Sequence, residues 1–162
     1  METTYSTARL LLTELALSDA DFIAELVNTE EWIRYIGDRN IKTHEDAIAY
    51  VQKIMENASI RYWVVKLKEE LTPIGIITLI RRDYLEHADI GFAFLPKYAG
   101  QGYAYEATAV VLEDALNGDG HARVLAITVA SNRRSIQLLE KLGFRFSNEI
   151  DVEKEKLLVY SV

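Results

Sequence analysis

The sequence predicts an α+β fold, and three observations carry that reading. Apolar residues alternate or run together in short β-branched segments through the middle and the end of the chain. Apolar residues at helical spacing occupy stretches before, between and after them. A Gly-rich turn, Gly100-Gln101-Gly102, joins a strand-like run to a helix-like one. Runs of both kinds are mixed along 162 residues, of which 49% are hydrophobic and only two are proline, as a packed globule requires.

Arg9–Ala16 reads as a first strand, rich in Leu. Ser18 is expected to cap a helix with Asp19 and Asp21 in its first turn and Phe22, Ile23, Leu26 and Val27 on its apolar face. Glu30–Gly37 carries bulky aromatics without a clear period. Thr43 opens a second helix, with Ala47, Ile48, Val51, Ile54 and Met55 at helical spacing. These helices precede a sheet and suit a wall over a pocket. Arg61–Lys68, Pro73–Arg82 and His87–Leu95 follow as strands, spaced for an antiparallel meander. A helix from about Gly102 to Asn117 ends at Gly118 and Gly120. Arg123–Val129 is a β-branched strand and Asn132–Leu142 a helix stopped by Gly143. Two last strands, about Phe144–Asp151 and Lys154–Tyr160, finish the chain. The total is about seven strands and four helices, without repeat or linker, so residues 1–162 are expected to form one domain with its core over about 8–161.

Composition narrows the function. Lys and Arg number 18 against 25 for Asp and Glu, a formal charge of −7 that argues against coating nucleic acid. The absence of cysteine excludes disulfides, thiolate metal sites and cysteine nucleophiles. The N-terminal residues lack a basic-then-apolar signal and no apolar run spans a bilayer, so no membrane partner and a cytoplasmic location are the default expectation.

Strand, Gly-rich turn and helix start form an anion cradle, because backbone N–H groups converge there and the helix N-terminus adds partial positive charge. A dinucleotide fingerprint would need a third glycine where Tyr105 stands, and a Walker loop would need a Gly-Lys-Ser/Thr ending that the chain lacks. A second motif follows some thirty residues later: Asn132-x-x-Ser135-x-x-Leu138-Leu139-Glu140-Lys141-Leu142-Gly143-Phe144. With Gly100-Gln101-Gly102-Tyr103-Ala104-Tyr105-Glu106-Ala107, it resembles the GNAT superfamily of acyl-CoA-dependent N-acetyltransferases. The branch it looks like is the ribosomal-protein alanine/serine acetyltransferases, and the Arg9-Leu10-Leu11-Leu12 opening extends the resemblance over nearly the whole chain. Ala99 departs from the Gln or Arg usual at the first motif position, which alters one side-chain contact of a cradle built mainly from backbone.

The resemblance implies a twisted mixed sheet whose two central parallel strands, His87–Leu95 and Arg123–Val129, splay apart to admit the pantetheine arm of acetyl-CoA. It implies pyrophosphate contacts along Gly100, Gln101, Gly102, Tyr103 and Ala104, with Lys97, Arg133 and Arg134 as candidate phosphate partners. Phe94, with Leu95 beside it, would supply a backbone donor to the oxyanion, and Asn132 would tie pantetheine or cap the helix. No metal is called for. A neutral amine attacks the thioester directly, so the side chains need only move protons and orient. Asp89 is the favoured general base, directly or through water, with His87 on the same face as the alternative. Leu139 stands where many family members carry a tyrosine acid, leaving Ser135 as the remaining hydroxyl, either to bond the sulfur or only to let the helix pack close to CoA. Glu106 is read as structural, in the first helical turn. Trp32, Tyr35 and Ile36, with the start of the second helix, are expected to wall the amine site, opposite Tyr84, Glu86 and His87. The acceptor is a primary amine, on a peptide N-terminus or a small molecule; a homodimer is open. The alternative is an acyl-CoA-binding regulatory module without turnover.

Overall fold

The computed structural model describes residues 3–162. Eight strands form one sheet in the order β1-β2-β3-β4-β5-β6-β8-β7: β1 (Thr4–Ser6), β2 (Leu10–Glu14), β3 (Ile60–Leu67), β4 (Pro73–Ile80), β5 (Asp89–Phe94), β6 (Leu125–Thr128), β7 (Arg145–Val152) and β8 (Glu155–Ser161). Five helices accompany them: α1 (Ala20–Val27), α2 (Glu30–Tyr35), α3 (His44–Glu56), α4 (Tyr103–Glu113) and α5 (Arg133–Lys141). The meander β3-β4-β5 is antiparallel as expected. β5 and β6 are parallel, so the sheet is mixed.

Local chemistry sets the helix starts. Thr43 Oγ1 accepts the Asp46 N–H at 3.1 Å while Asp46 Oδ2 accepts the Thr43 N–H at 3.1 Å, a reciprocal cap that begins α3 where the sequence placed it. α2 is the segment without a readable period; Thr29 caps it by accepting the Trp32 N–H at 3.3 Å. Ser18 is not the cap of α1. It sits in a 3₁₀ turn, Leu17–Asp19, and Asp19 takes the capping position, its carboxylate accepting the Ala16 N–H at 2.9 Å. α4 continues beyond Glu113 as a π-helical turn over Asp114–Gly118, where Tyr5 donates to Asp114 Oδ2 at 2.7 Å.

Two apolar clusters hold the sheet. One joins Leu10, Leu12, Trp63, Ile77 and Ile90 to Ala107 and Val111 of α4 and Leu139 of α5. The other joins Val64 and Ile76 to Phe22, Ile23 and Leu26 of α1, Trp32 of α2 and Val51 of α3. Each fully buried Leu or Ile contributes about 1.5–3 kcal/mol of transfer free energy. The sheet is therefore covered from both sides, as a strand like β4, with six consecutive buried residues, demands.

Candidate active site

The central parallel pair does not close. β5 and β6 share a single register position, Asp89 with Leu125, anchored by the Leu125 N–H donating to the Ala88 carbonyl at 2.9 Å. Beyond it the strands part, and residues of both, Asp89–Ala93 and Ala126–Val129, line a cleft of about 580 Å³. On its other edge β5 stays paired with β4 through Phe94, and the Leu95 N–H donates to the Ile74 carbonyl at 2.9 Å. An antiparallel ladder alternates its bonding direction, so the N–H groups of Phe92 and Phe94 turn away from β4 and into the gap. Leu95 itself is buried among the α1–α3 cluster, with its donor committed to β4.

The Gly-rich turn lies just past β5. Gly100 and Gly102 adopt φ of +78° and +82°, the left-handed region that glycine enters without steric cost. Gly102 is the N-cap of α4, whose first helical bond runs from the Glu106 N–H to the Gly102 carbonyl. The N–H groups of Tyr103, Ala104 and Tyr105 therefore have no intrahelical acceptor. Gln101 and Gly102 are exposed, and a Cβ at Gly100 would meet open space. This open cradle fits a pyrophosphate, and the parted strands fit an extended arm that bonds backbone.

A clamp holds the turn from behind. Glu106 accepts from Thr7 Oγ1 at 2.5 Å, from the Arg9 N–H at 3.0 Å and from Arg9 Nε at 2.8 Å. Arg9 Nη1 donates to the Gln101 carbonyl at 3.0 Å, and its guanidinium lies 4.4 Å from the Tyr103 ring centre. Burial alone would raise the Glu106 carboxyl, but the bonds from Thr7 and Arg9 outweigh it and hold the group below its ordinary value.

Asp89 is buried at the narrow end of the cleft, with Oδ2 accepting from Arg82 Nε at 2.7 Å. Burial pushes the Asp89 carboxyl up against the pull of the Arg82 bond and charge. Burial would likewise weaken the Arg82 charge, but the bond and charge of Asp89 prevail and raise Arg82 above its ordinary value. Arg82 also reaches the Tyr84 hydroxyl at 3.5 Å. His87 does not join this group. It precedes β5, so strand alternation does not govern it, and it lines a separate depression with Arg81, Asp119 and His121.

Asn132, Ser135 and Leu139 of α5 line the cleft, with Asn132 Oδ1 accepting the Ser135 N–H at 3.3 Å. Lys97, Arg133 and Arg134 are exposed; Arg134 Nη1 lies 3.9 Å from Glu31 Oε1, which links α5 to α2. Trp32, Tyr35, Ile36 and Tyr84 line the cleft, whereas Glu86 is not among its lining residues. The second half of α3 completes the wall through Tyr50 and Lys53, not its start. Sequence reading also missed Arg39, Tyr62, Arg82 and, from the β7–β8 hairpin, Glu153 and Glu155. Only Arg82 carried a local signal, closing the strand-like run Pro73–Arg82 seven residues before Asp89. The Tyr62 phenol, hydrogen-bonded to Tyr50, is pushed up by burial, while Arg39 and Arg82 pull it down. Among the described residues no cluster of three or more His, Asp or Glu side chains could hold a metal ion, and no helix is long and apolar enough to cross a membrane.

Comparison with known proteins agrees with this geometry. The acetyltransferase (GNAT) domain family model matches residues 9–145. The uncharacterized N-acetyltransferase YnaD of Bacillus subtilis is 30% identical over 141 residues, covering 86% of this chain and 81% of that protein. A GNAT-family acetyltransferase from Bacillus anthracis superposes with a TM-score of 0.82 at 25% identity, over 98% of this chain and 97% of that one. The spermidine N-acetyltransferase of Vibrio cholerae, solved with CoA and spermine, shares the fold with a TM-score of 0.81 at 18% identity, over 96% of each chain. An open parallel pair, a left-handed glycine turn at a helix start and a family match over 137 residues lead to one assignment: this chain belongs to the GNAT acetyltransferase family.

Proposed function

We propose that the protein moves an acetyl group from acetyl-CoA to a primary amine by direct attack within a ternary complex. The observation that carries this is the single shared register position of β5 and β6, which leaves backbone donors of Phe92 and Phe94 facing a cleft instead of a strand. In this reading the pantetheine arm bonds those groups in the manner of an added strand. The Phe94 N–H stabilises the oxyanion as the amine adds to the thioester carbonyl, and the thiolate leaves as the tetrahedral adduct collapses. In this reading the pyrophosphate rests on the N–H groups from Gln101 to Ala104, with exposed Lys97 and Arg134 as the side-chain partners proposed for the outer phosphates. Asn132 orients the loop or the arm, and Ser135 lies on the same helix face toward the sulfur.

The proton is the harder part. Asp89 lies five residues before Phe94 on an extended strand, about 17 Å away along the chain. An amine at Phe94 therefore delivers its proton to Asp89 through water, not by contact. The Arg82 bond fixes the direction of the Asp89 carboxyl and opposes the upward push of burial, and in this reading Asp89 is the terminal acceptor of the relay. His87 is outside the cleft and has no part in it.

The test is thiol release from acetyl-CoA across a panel of amines and N-terminal peptides over a range of pH. Turnover with at least one primary amine is expected, with product carrying the acetyl group on nitrogen. Tight CoA binding without thiol release from any acceptor at any pH would assign the chain instead to acyl-CoA binding without turnover.

A further inference from the structure

Charged side chains of both signs line the cleft, and they bear on what kind of amine it takes. Its α2–α3 wall supplies Arg39 and Lys53, and neither has a carboxylate within ion-pair distance among the described residues. Arg39 lies with its guanidinium 6.0 Å from the Trp32 ring centre and acts electrostatically on Tyr62, which places its charge beside two residues of the cleft wall. The third cation, Arg82, is spent on Asp89. From a different element, the β7–β8 hairpin, Glu153 and Glu155 also line the cleft, at a turn in which Glu153 and Lys154 take left-handed φ of 49° and 68°.

We infer that the acceptor is a small amine bearing a carboxylate, with the carboxylate on Arg39 and Lys53 and the ammonium drawn in along the Glu153–Glu155 side. A polycation such as spermidine would meet two unpaired cations on one wall, a like-charge contact that costs affinity. The cleft volume of about 580 Å³ must hold the thioester arm and the acceptor together, which favours a short carbon skeleton. The guanidinium suits the carboxylate because its planar fork can bond both oxygens. This inference rests on the acetyltransferase reading above and narrows its substrate class.

The experiment compares initial rates for matched acceptors: amino acids, their carboxamides, spermidine, and dipeptides beginning with Glu or Gln. They are run with the native protein and with Arg39→Gln, Lys53→Gln and the double variant. The quantity read is the ratio of kcat/KM for each acid to that for its carboxamide, so a general loss of activity cancels. A ratio of at least about tenfold in the native protein, falling toward one in the double variant, is expected. Preference for Glu over Gln dipeptides without preference for free acids would move the carboxylate's source to a peptide side chain and overturn the small-molecule form. A ratio near one, or one that survives both substitutions, or spermidine as the best acceptor, overturns the inference while leaving acetyl transfer intact. Thiol release from no amine at all overturns both. Because Arg39 and Lys53 are exposed, the variants are expected to fold, which circular dichroism checks.

Discussion

Glu106→Gln tests the clamp behind the anion turn. The substitution keeps the side chain's shape and removes its charge. The carboxylate accepts three hydrogen bonds, two from Arg9 and one from Thr7. A carboxamide has one accepting oxygen, and its NH₂ faces the Arg9 guanidinium with nothing to offer. Hydrogen bonds to charged groups contribute about 1.5–3 kcal/mol each and neutral ones about 1. Losing the Nε pair and weakening the rest, with water recovering part at a side chain 20% exposed, gives about 2 kcal/mol of lost stability at pH 7. The folded carboxyl titrates below its ordinary value, so the unfolded chain takes up the proton first as pH falls. The stabilisation is therefore complete above the ordinary glutamate pKa and disappears as pH drops through the depressed folded value. Urea unfolding of both proteins at pH 7 and at stepwise lower pH measures the gap, which should shrink toward zero in acid. A gap under about 0.5 kcal/mol at pH 7, at the level of an ordinary surface substitution, or one independent of pH would refute the reasoning. In kinetic assays the KM for acetyl-CoA should rise severalfold with kcat little changed, since Arg9 also holds the Gln101 carbonyl.

Three further outcomes are expected. Gly102→Ala forces a Cβ into the left-handed region and to 3.4 Å from Arg9 Nη2, costing about 1–2 kcal/mol in urea unfolding and raising the KM for acetyl-CoA. Asp89→Asn leaves Arg82 half-buried without its counter-charge, with a loss of about 3 kcal/mol and a flattened limb in the pH–rate profile; an unaltered profile would remove Asp89 from the proton path. Gly75→Ala places a Cβ 2.6 Å from the Ala93 carbonyl oxygen and against the Phe94 ring, so a loss of about 1–3 kcal/mol and a drop in kcat should accompany displacement of β5.

The sequence was most legible where one short stretch does its own work. The glycine turn, the Asn132 cap, the helix start at Thr43 and the strands β2 to β8 follow from local pattern and lie within a few residues of expectation. β1 was invisible because only Tyr5 of its three residues is buried; its place depends on pairing with β2, on Trp63 at 5.7 Å between ring centres, and on Asp114, 109 residues away. α2 is six residues long, too short for a period to declare itself. The amine side of the site was hardest. Arg39, Tyr62, Arg82 and Glu153 come from four separate segments, and only the folded sheet brings them to one cleft. His87 went astray because alternation was extended two residues past where the strand begins.

The sheet is joined between β5 and β6 by one rung, and beyond it the two strands leave a slot. Whatever threads that slot couples Asp89–Phe94 to Leu125–Thr128 and becomes part of the folded state's own architecture. Occupancy at a hundred times the dissociation constant would add about 2.7 kcal/mol to unfolding. On the proposed function, where acetyl-CoA is what threads the slot, the melting temperature should therefore rise with its concentration.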